Sequence, residues 1–126
     1  MYKRKIILLI FTIVLSYSAI AQANNTIYRI ESQTNSTDAV TYDVNVLILY
    51  NDGDYKLMRQ KYASKKMMKK NVIFHLENEY GEWQKKEGIL YLTNKNGQIT
   101  KFKYHKNKIS LFINENEISD LYWKQI

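Results

Sequence analysis

Ile89-Leu90-Tyr91-Leu92-Thr93-Asn94-Lys95-Asn96-Gly97-Gln98-Ile99-Thr100-Lys101-Phe102-Lys103-Tyr104-His105 is the stretch that decides the fold. Two runs rich in β-branched and aromatic residues, 89–93 and 99–105, flank Asn96-Gly97. That dipeptide readily adopts the positive φ angles of a tight hairpin, so the stretch reads as two antiparallel strands. The same grammar continues in both directions. Downstream, Asn107-Lys108 turns into a strand over 109–113, and Asn114-Glu115-Asn116 turns into another over 118–124. Upstream, Glu87-Gly88 opens the first run.

The segment 41–50 is the strongest strand of the remainder. Tyr42, Val44, Val46, Ile48 and Tyr50 share one face, with Asp43 and Asn45 opposite, while Leu47 and Leu49 make the second half apolar on both faces. Asn51-Asp52-Gly53 returns the chain into a strand over 54–62, with Tyr55 and Leu57 on one face and Met58 on the other. Residues 72–76 and 80–84 read as two short strands around Glu77-Asn78-Glu79. Ahead of them all, the polar segment 22–40 carries one short strand over 28–31 and a loop over 32–39. Eight or nine strands with short connections describe a meander, because parallel crossovers need a dozen or more linking residues. A meander this long disposes of its two edges by closing, so the expectation is an all-β, antiparallel barrel over 41–126. A flat sheet or a two-sheet sandwich has the same spacing.

The first residues tell a separate story. Lys3-Arg4-Lys5, an apolar run from Ile6 through Leu15, and Ala19-Ile20-Ala21 follow the order of a cleavable secretion signal. This predicts a signal-peptide helix over 1–21 and cleavage between Ala21 and Gln22, with Ala23 as the second choice. The apolar core is shorter than the ~20 residues that span a bilayer, so an uncleaved anchor is disfavoured. The expected location is the periplasm or the exterior. The chain has no cysteine, which excludes disulfides, thiol metal sites, thiol nucleophiles and a lipid-bearing cysteine at the cleavage point. Without Lys3, Arg4 and Lys5 the 19 bases fall to 16 against 12 acids, a net charge of about +4, too small for a dedicated nucleic-acid face. About a hundred residues make one domain with one core. Eleven tyrosines and no proline favour sheet over helix.

One segment breaks the strand pattern. Residues 56–70 hold Lys56, Arg59, Lys61, Lys65, Lys66, Lys69 and Lys70 with no acid among them. Within it, 63–70 fits a loop or a short helical turn that sets Met67 and Met68 against the barrel. Lys65, Lys66, Lys69 and Lys70 are then either a solvated loop or a cationic patch for anionic lipid, polysaccharide or an acidic partner. Stacking aromatics for nucleobases are missing there apart from Tyr62.

No constellation of catalytic or metal-binding residues stands out. His75 and His105 lie on separate expected strands without a local carboxylate or third ligand, and zinc or copper wants three or four convergent donors. Met67-Met68 adds nothing to a copper site, because adjacent side chains point in different directions. Glu77, Glu79, Glu82 and Glu87 read as solvated hairpin ends, and nothing spaces two of them ~5 to 9 Å apart across a cleft as glycosidases require. The serines sit in no nucleophile elbow, and the four glycines form no phosphate loop. Asn24-Asn25-Thr26 and Asn35-Ser36-Thr37 match the glycosylation sequon, as an asparagine-rich chain does by chance.

From about Val46 to Lys124 the chain resembles the N-terminal domain of the NlpE family of envelope lipoproteins, which are linked to copper tolerance and surface sensing. The carrying residues are Leu47-Ile48-Leu49-Tyr50-Asn51-Asp52-Gly53-Asp54-Tyr55-Lys56-Leu57, then Gly81-Glu82-Trp83, like the family's Gly-x-Trp. Gly88-Ile89-Leu90-Tyr91-Leu92, Phe102-Lys103-Tyr104, Lys108-Ile109-Ser110-Leu111 and Leu121-Tyr122-Trp123-Lys124 follow in the expected order. The resemblance covers roughly two-thirds of the chain and implies a small lipocalin-like barrel in the envelope of a Gram-negative bacterium. The family's Cys-x-x-Cys, its lipid-bearing cysteine and its second domain have no counterpart here. Copper binding, redox sensing and lipid anchoring therefore do not carry over.

Two functions fit. The first is a non-enzymatic, monomeric envelope barrel without cofactor that binds another envelope protein through exposed strands and the lysine-rich segment. The second is a carrier of a small apolar ligand in a pocket lined by Trp83, Tyr91, Phe102 and Tyr104. Against the carrier, a barrel this small is narrow enough for its own side chains to fill. An enzyme would need His75, His105 and a carboxylate within hydrogen-bond reach in one cleft.

Overall fold

The computed structural model describes residues 25–35 and 40–126. The expected signal peptide, with its cleavage point at Ala21-Gln22, lies outside these residues. The strands are β1 (Thr26–Asn35), β2 (Val40–Leu49), β3 (Asp54–Tyr62), β4 (His75–Lys86), β5 (Ile89–Asn94), β6 (Ile99–His105), β7 (Lys108–Asn114) and β8 (Glu117–Gln125). A short helix, α1 (Lys65–Lys69), sits between β3 and β4. Every strand pairs antiparallel with the next and β1 pairs with β8, so the expected all-β meander closes into a barrel in sequence order. Among the described residues no helix is long and apolar enough to cross a membrane.

The turns follow their chemistry. Glu87 and Gly88 both take positive φ, 54° and 78°, the geometry whose twist matches the strands it joins. Asn96-Gly97 belongs to a wider turn in which Gly97 alone is left-handed, and the Asn94 side chain accepts the Asn96 and Gln98 amides, each at 2.9 Å. Gly53 (φ 101°) plays the same part at the β2–β3 turn.

Two elements differ from expectation, and a third settles a face. The first strand is ten residues long instead of the four of 28–31, because polar Ser32 to Asn35 pair with residues 40–43 of β2. The two short strands around Glu77-Asn78-Glu79 are one continuous strand of twelve residues, β4. Glu77 and Glu79 stand across from Arg59 and Leu57 of β3, so the apparent turn is a charged stretch of ladder. On β2 the inward face is the odd one, Asp43, Asn45, Leu47 and Leu49. Leu47 meets Tyr28 and Leu57, and Leu49 meets Tyr55, whereas the even face points outward, with Val44 alone buried on it.

The barrel has two unlike ends. Its base carries the turns at 50–53, 87–88 and 106–107. There Leu47, Leu90, Leu92 and Ile109 are fully buried and pack with Tyr28, Leu49, Tyr55, Leu57, Phe102 and Trp123. Phe102 and Trp123 meet edge to face at 5.3 Å. A Cβ on Gly81 would lie 2.7 Å from the Tyr55 ring and closer still to the Thr93 carbonyl, so β4 approaches β5 here only as glycine. The other end carries α1 and the turns at 95–98 and 115–116, and its interior is polar.

Candidate functional site

The four aromatics expected to line a pocket do not share one. Phe102 lies in the packed core, with Trp83 and Tyr104 against it. Tyr91 alternates with buried Leu90 and Leu92, so it faces outward, with the Lys101 ammonium 6.0 Å from its ring. Trp83 donates its indole N–H to the Tyr50 carbonyl at 2.7 Å, which ties β4 to the β2–β3 turn. Tyr104 donates to the Tyr28 hydroxyl, and burial first, then that neighbour, pushes the Tyr104 phenol up to about 12. Tyr28 is also raised, by burial. A void as large as a water molecule beside Leu47, Leu90, Leu92 or Ile109 would leave those side chains accessible, and all four are at 0%. The base is filled.

Toward the open end the inward positions turn charged. Glu79 accepts the Tyr55 hydroxyl at 2.7 Å and the Arg59 guanidinium at 3.1 Å. Arg59 also reaches Glu77 at 3.8 Å. Burial, reinforced by the Glu79 carboxylate, raises the Tyr55 phenol far above its ordinary value. On the neighbouring β2, Asp43 is buried, accepts from Thr41 at 3.2 Å and from Thr34, and pairs with Lys61 of β3 at 3.4 Å. Outside, Glu31 takes the Tyr42 hydroxyl and the Arg29 guanidinium; the Tyr42 bond first, with help from Arg29, holds its carboxyl below the usual range against the opposing effect of burial. None of these groups was singled out as a site by the sequence reading, although its signal was there. Arg59 and Lys61 two apart on one strand, and Glu77 and Glu79 two apart on the next, are complementary at strand period.

The pairing is incomplete at the same end. Residues 75–80 of β4 pair with β3, whereas β5 reaches only residues 81–86. Six residues of β4 therefore present a free backbone edge among the described residues. The edge borders an open depression of about 340 Å³ between Glu79, Tyr80 and the 95–98 turn. The seam that closes the barrel is shorter still, since β1 pairs with β8 only at Tyr28–Gln125 and Arg29–Lys124. Above it a depression of about 360 Å³ lies between Ile30, Glu31 and Tyr122.

The four lysines of the expected basic patch are brought together. Lys65, Lys66 and Lys69 lie on α1, Lys70 caps its C-terminal end, and all four are exposed, while Met67 and Met68 are half-buried. The two histidines are not brought together. His75 begins β4 at the open end, and His105 ends β6 at the base. His105 lies 2.8 Å from the buried Ser110 hydroxyl and edge-on to Tyr122 at 5.3 Å. Among the described residues no three His, Asp or Glu side chains form a metal-holding group.

These features define a class: a small all-antiparallel barrel of eight strands in sequence order, packed shut at one end and splayed at the other. The fold is similar to one in the crystal structure of the Cpx pathway activator NlpE from Escherichia coli. It superposes with a TM-score of 0.55 over 74% of this chain and 45% of that one, at 14% sequence identity. The likeness is one of fold, and the chain spans less than half the length of NlpE. No family model matches the chain, and no curated protein matches it in sequence.

Proposed function

We propose that this is an exported, non-enzymatic barrel of the NlpE type that works by binding an envelope protein, and that it takes an extended segment of that partner along the free edge of β4. The single observation behind this reading is the unpaired edge at residues 75–80. Soluble proteins ordinarily blunt such edges with charge, proline or a covering loop. Here the chain has no proline, the acids Glu77 and Glu79 are turned inward to Arg59, and the outward positions Leu76 and Tyr80 are 47% and 48% exposed. An added strand would satisfy the open backbone groups and shelter both side chains. The filled base leaves an apolar ligand no room, so binding on the outside suits this barrel better than carriage within it.

The test is site-specific photocrosslinking in cells that export the protein, with the photoreactive residue at position 76 or, as a control at the base, position 106. A discrete protein adduct at 76 and none at 106 is the expected result, with the adduct weakened by Tyr80→Lys. Adducts of equal yield at both positions, or none at 76, would overturn the reading. Sequencing the exported protein checks the first part of the proposal, with Gln22 as the expected N-terminal residue.

A further inference from the structure

The structure assigns a second docking surface, distinct from the β4 edge: α1 with residues 72–74 is a contact for an anionic phospholipid bilayer. The segment is held in place rather than loose. The Ser64 hydroxyl accepts the Met67 N–H at 3.2 Å and starts the helix. At its end Asn71 takes φ 58°, with Asn71 N–H donated to the Met68 carbonyl at 3.0 Å and Val72 N–H to the Met67 carbonyl at 2.9 Å. Those paired bonds form a Schellman ending. Phe74 N–H then donates to the Lys61 carbonyl at 2.8 Å and ties the segment to β3.

This frame holds two unlike groups side by side. One is Lys65, Lys66, Lys69 and Lys70, none of which has an ion-pair partner among the described residues, within a stretch of fifteen residues that holds seven bases and no acid. The other is Val72-Ile73-Phe74, with Phe74 at 70% the most exposed of the three. In water both are unfavourable, because like charges crowd together and three consecutive large apolar side chains stay wet. On an anionic bilayer both are relieved at once. The ammonium groups meet lipid phosphates, and the apolar tip enters the interface beside them. An acidic protein face would answer the lysines but set the apolar tip against charge. Nucleic acid would want aromatics interleaved with the bases, and Phe74 lies beyond the lysine cluster. The contact is peripheral and reversible.

Co-sedimentation with vesicles tests it, using the exported protein as purified from the envelope of the expressing cell. The parent protein should sediment with phosphatidylcholine vesicles that contain phosphatidylglycerol, and not with phosphatidylcholine alone. Binding should fall steeply as salt shortens the screening length from about 10 Å toward about 3 Å. The quadruple variant K65Q/K66Q/K69Q/K70Q, altered only at exposed positions, should bind on the order of 1,000-fold more weakly. Phe74→Ser should bind on the order of tenfold more weakly. Equal binding to neutral vesicles, or a quadruple variant that binds as tightly as the parent, would overturn the assignment. So would lysine substitutions that abolish only the protein adduct at position 76, which would give these lysines to a protein partner. Vesicles contain no protein, so failure of the strand-edge reading leaves this measurement intact.

Discussion

The base and the open end of this barrel are built from the same eight strands, yet they solve opposite problems. At the base every strand finds two neighbours, and the enclosed space is filled by leucines, Ile109, Phe102 and Trp123. At the open end β4 outruns β5 and β1 parts from β8, and the interior turns to carboxylates, Arg59 and Lys61. Large apolar side chains are exposed there on the outside, at Val72, Ile73, Phe74 and Leu76. The packed core therefore lies in one half, and most of the exposed apolar side chains lie in the other.

The sharpest way to break that division is at the base. Phe102→Ala removes a ring that is 2% exposed and leaves Trp123 without its edge-on partner, in a site held on all sides by strands. A loss of about 3–5 kcal/mol is expected in urea unfolding. That approaches the whole stability of many domains this size, so the variant should be largely unfolded at growth temperature. A variant that melts within a few degrees of the parent would mean that the base is not the stabilising half.

Glu79 sits where the two regions meet. Glu79→Leu leaves the Tyr55 hydroxyl without its acceptor and Arg59 with only the more distant, exposed Glu77. A buried donor left unmade costs about 1–3 kcal/mol, an effect between that of the base and that of the rim. Tyr55→Phe in the same background should recover part of the loss, because the orphaned hydroxyl goes with it. If the double variant is no more stable than the single one, the hydrogen bond is not what Glu79 contributes.

Most of the base was legible in the sequence, and most of the open end was not. Gly53, Gly88 and Asn96-Gly97 announce turns because few other residues take positive φ cheaply, and the alternation around Leu90, Leu92 and Phe102 gives both strand type and inward face. The rules fail where inside is not apolar. On β2 the even residues look like the buried face, but Asp43 and Asn45 point into a polar interior and take Leu47 and Leu49 with them. Glu77-Asn78-Glu79 looks like a turn because acids seldom line a barrel, and here Arg59 and Tyr55 make it favourable. The lysine cluster could be read from composition alone. The free edge could not, since it arises from β4 being longer than β5, a property of register that no single segment displays.

Alkali separates the two ends by a different route. Tyr104, Tyr28 and Tyr55 are raised above the ordinary value of 10.0, each chiefly by burial, and Tyr104 reaches about 12. The folded barrel thus holds these phenol protons more tightly than the unfolded chain does. Their contribution to stability is complete below about pH 10 and is lost as the pH rises from there toward the folded values. Urea midpoints should fall over that range, the unfolding constant rising by up to about tenfold per pH unit for each tyrosine. Tyr104→Phe should make the fall shallower by roughly one proton. An unchanged slope would place the Tyr104 hydroxyl in water and the filled base in question.

The smallest effect is expected at the tip, and its smallness is the point. Phe74 is mostly exposed, and its backbone N–H, donated to the Lys61 carbonyl, joins it to the barrel. Phe74→Ser keeps that bond and removes a side chain that buries little, so unfolding free energy should change by no more than about 0.5 kcal/mol. A substitution that costs binding to anionic vesicles while sparing stability marks a residue retained for contact. A loss of several kcal/mol would instead mean that the ring covers the barrel's open end, and the division between a stabilising base and a contact rim would have to be redrawn around it.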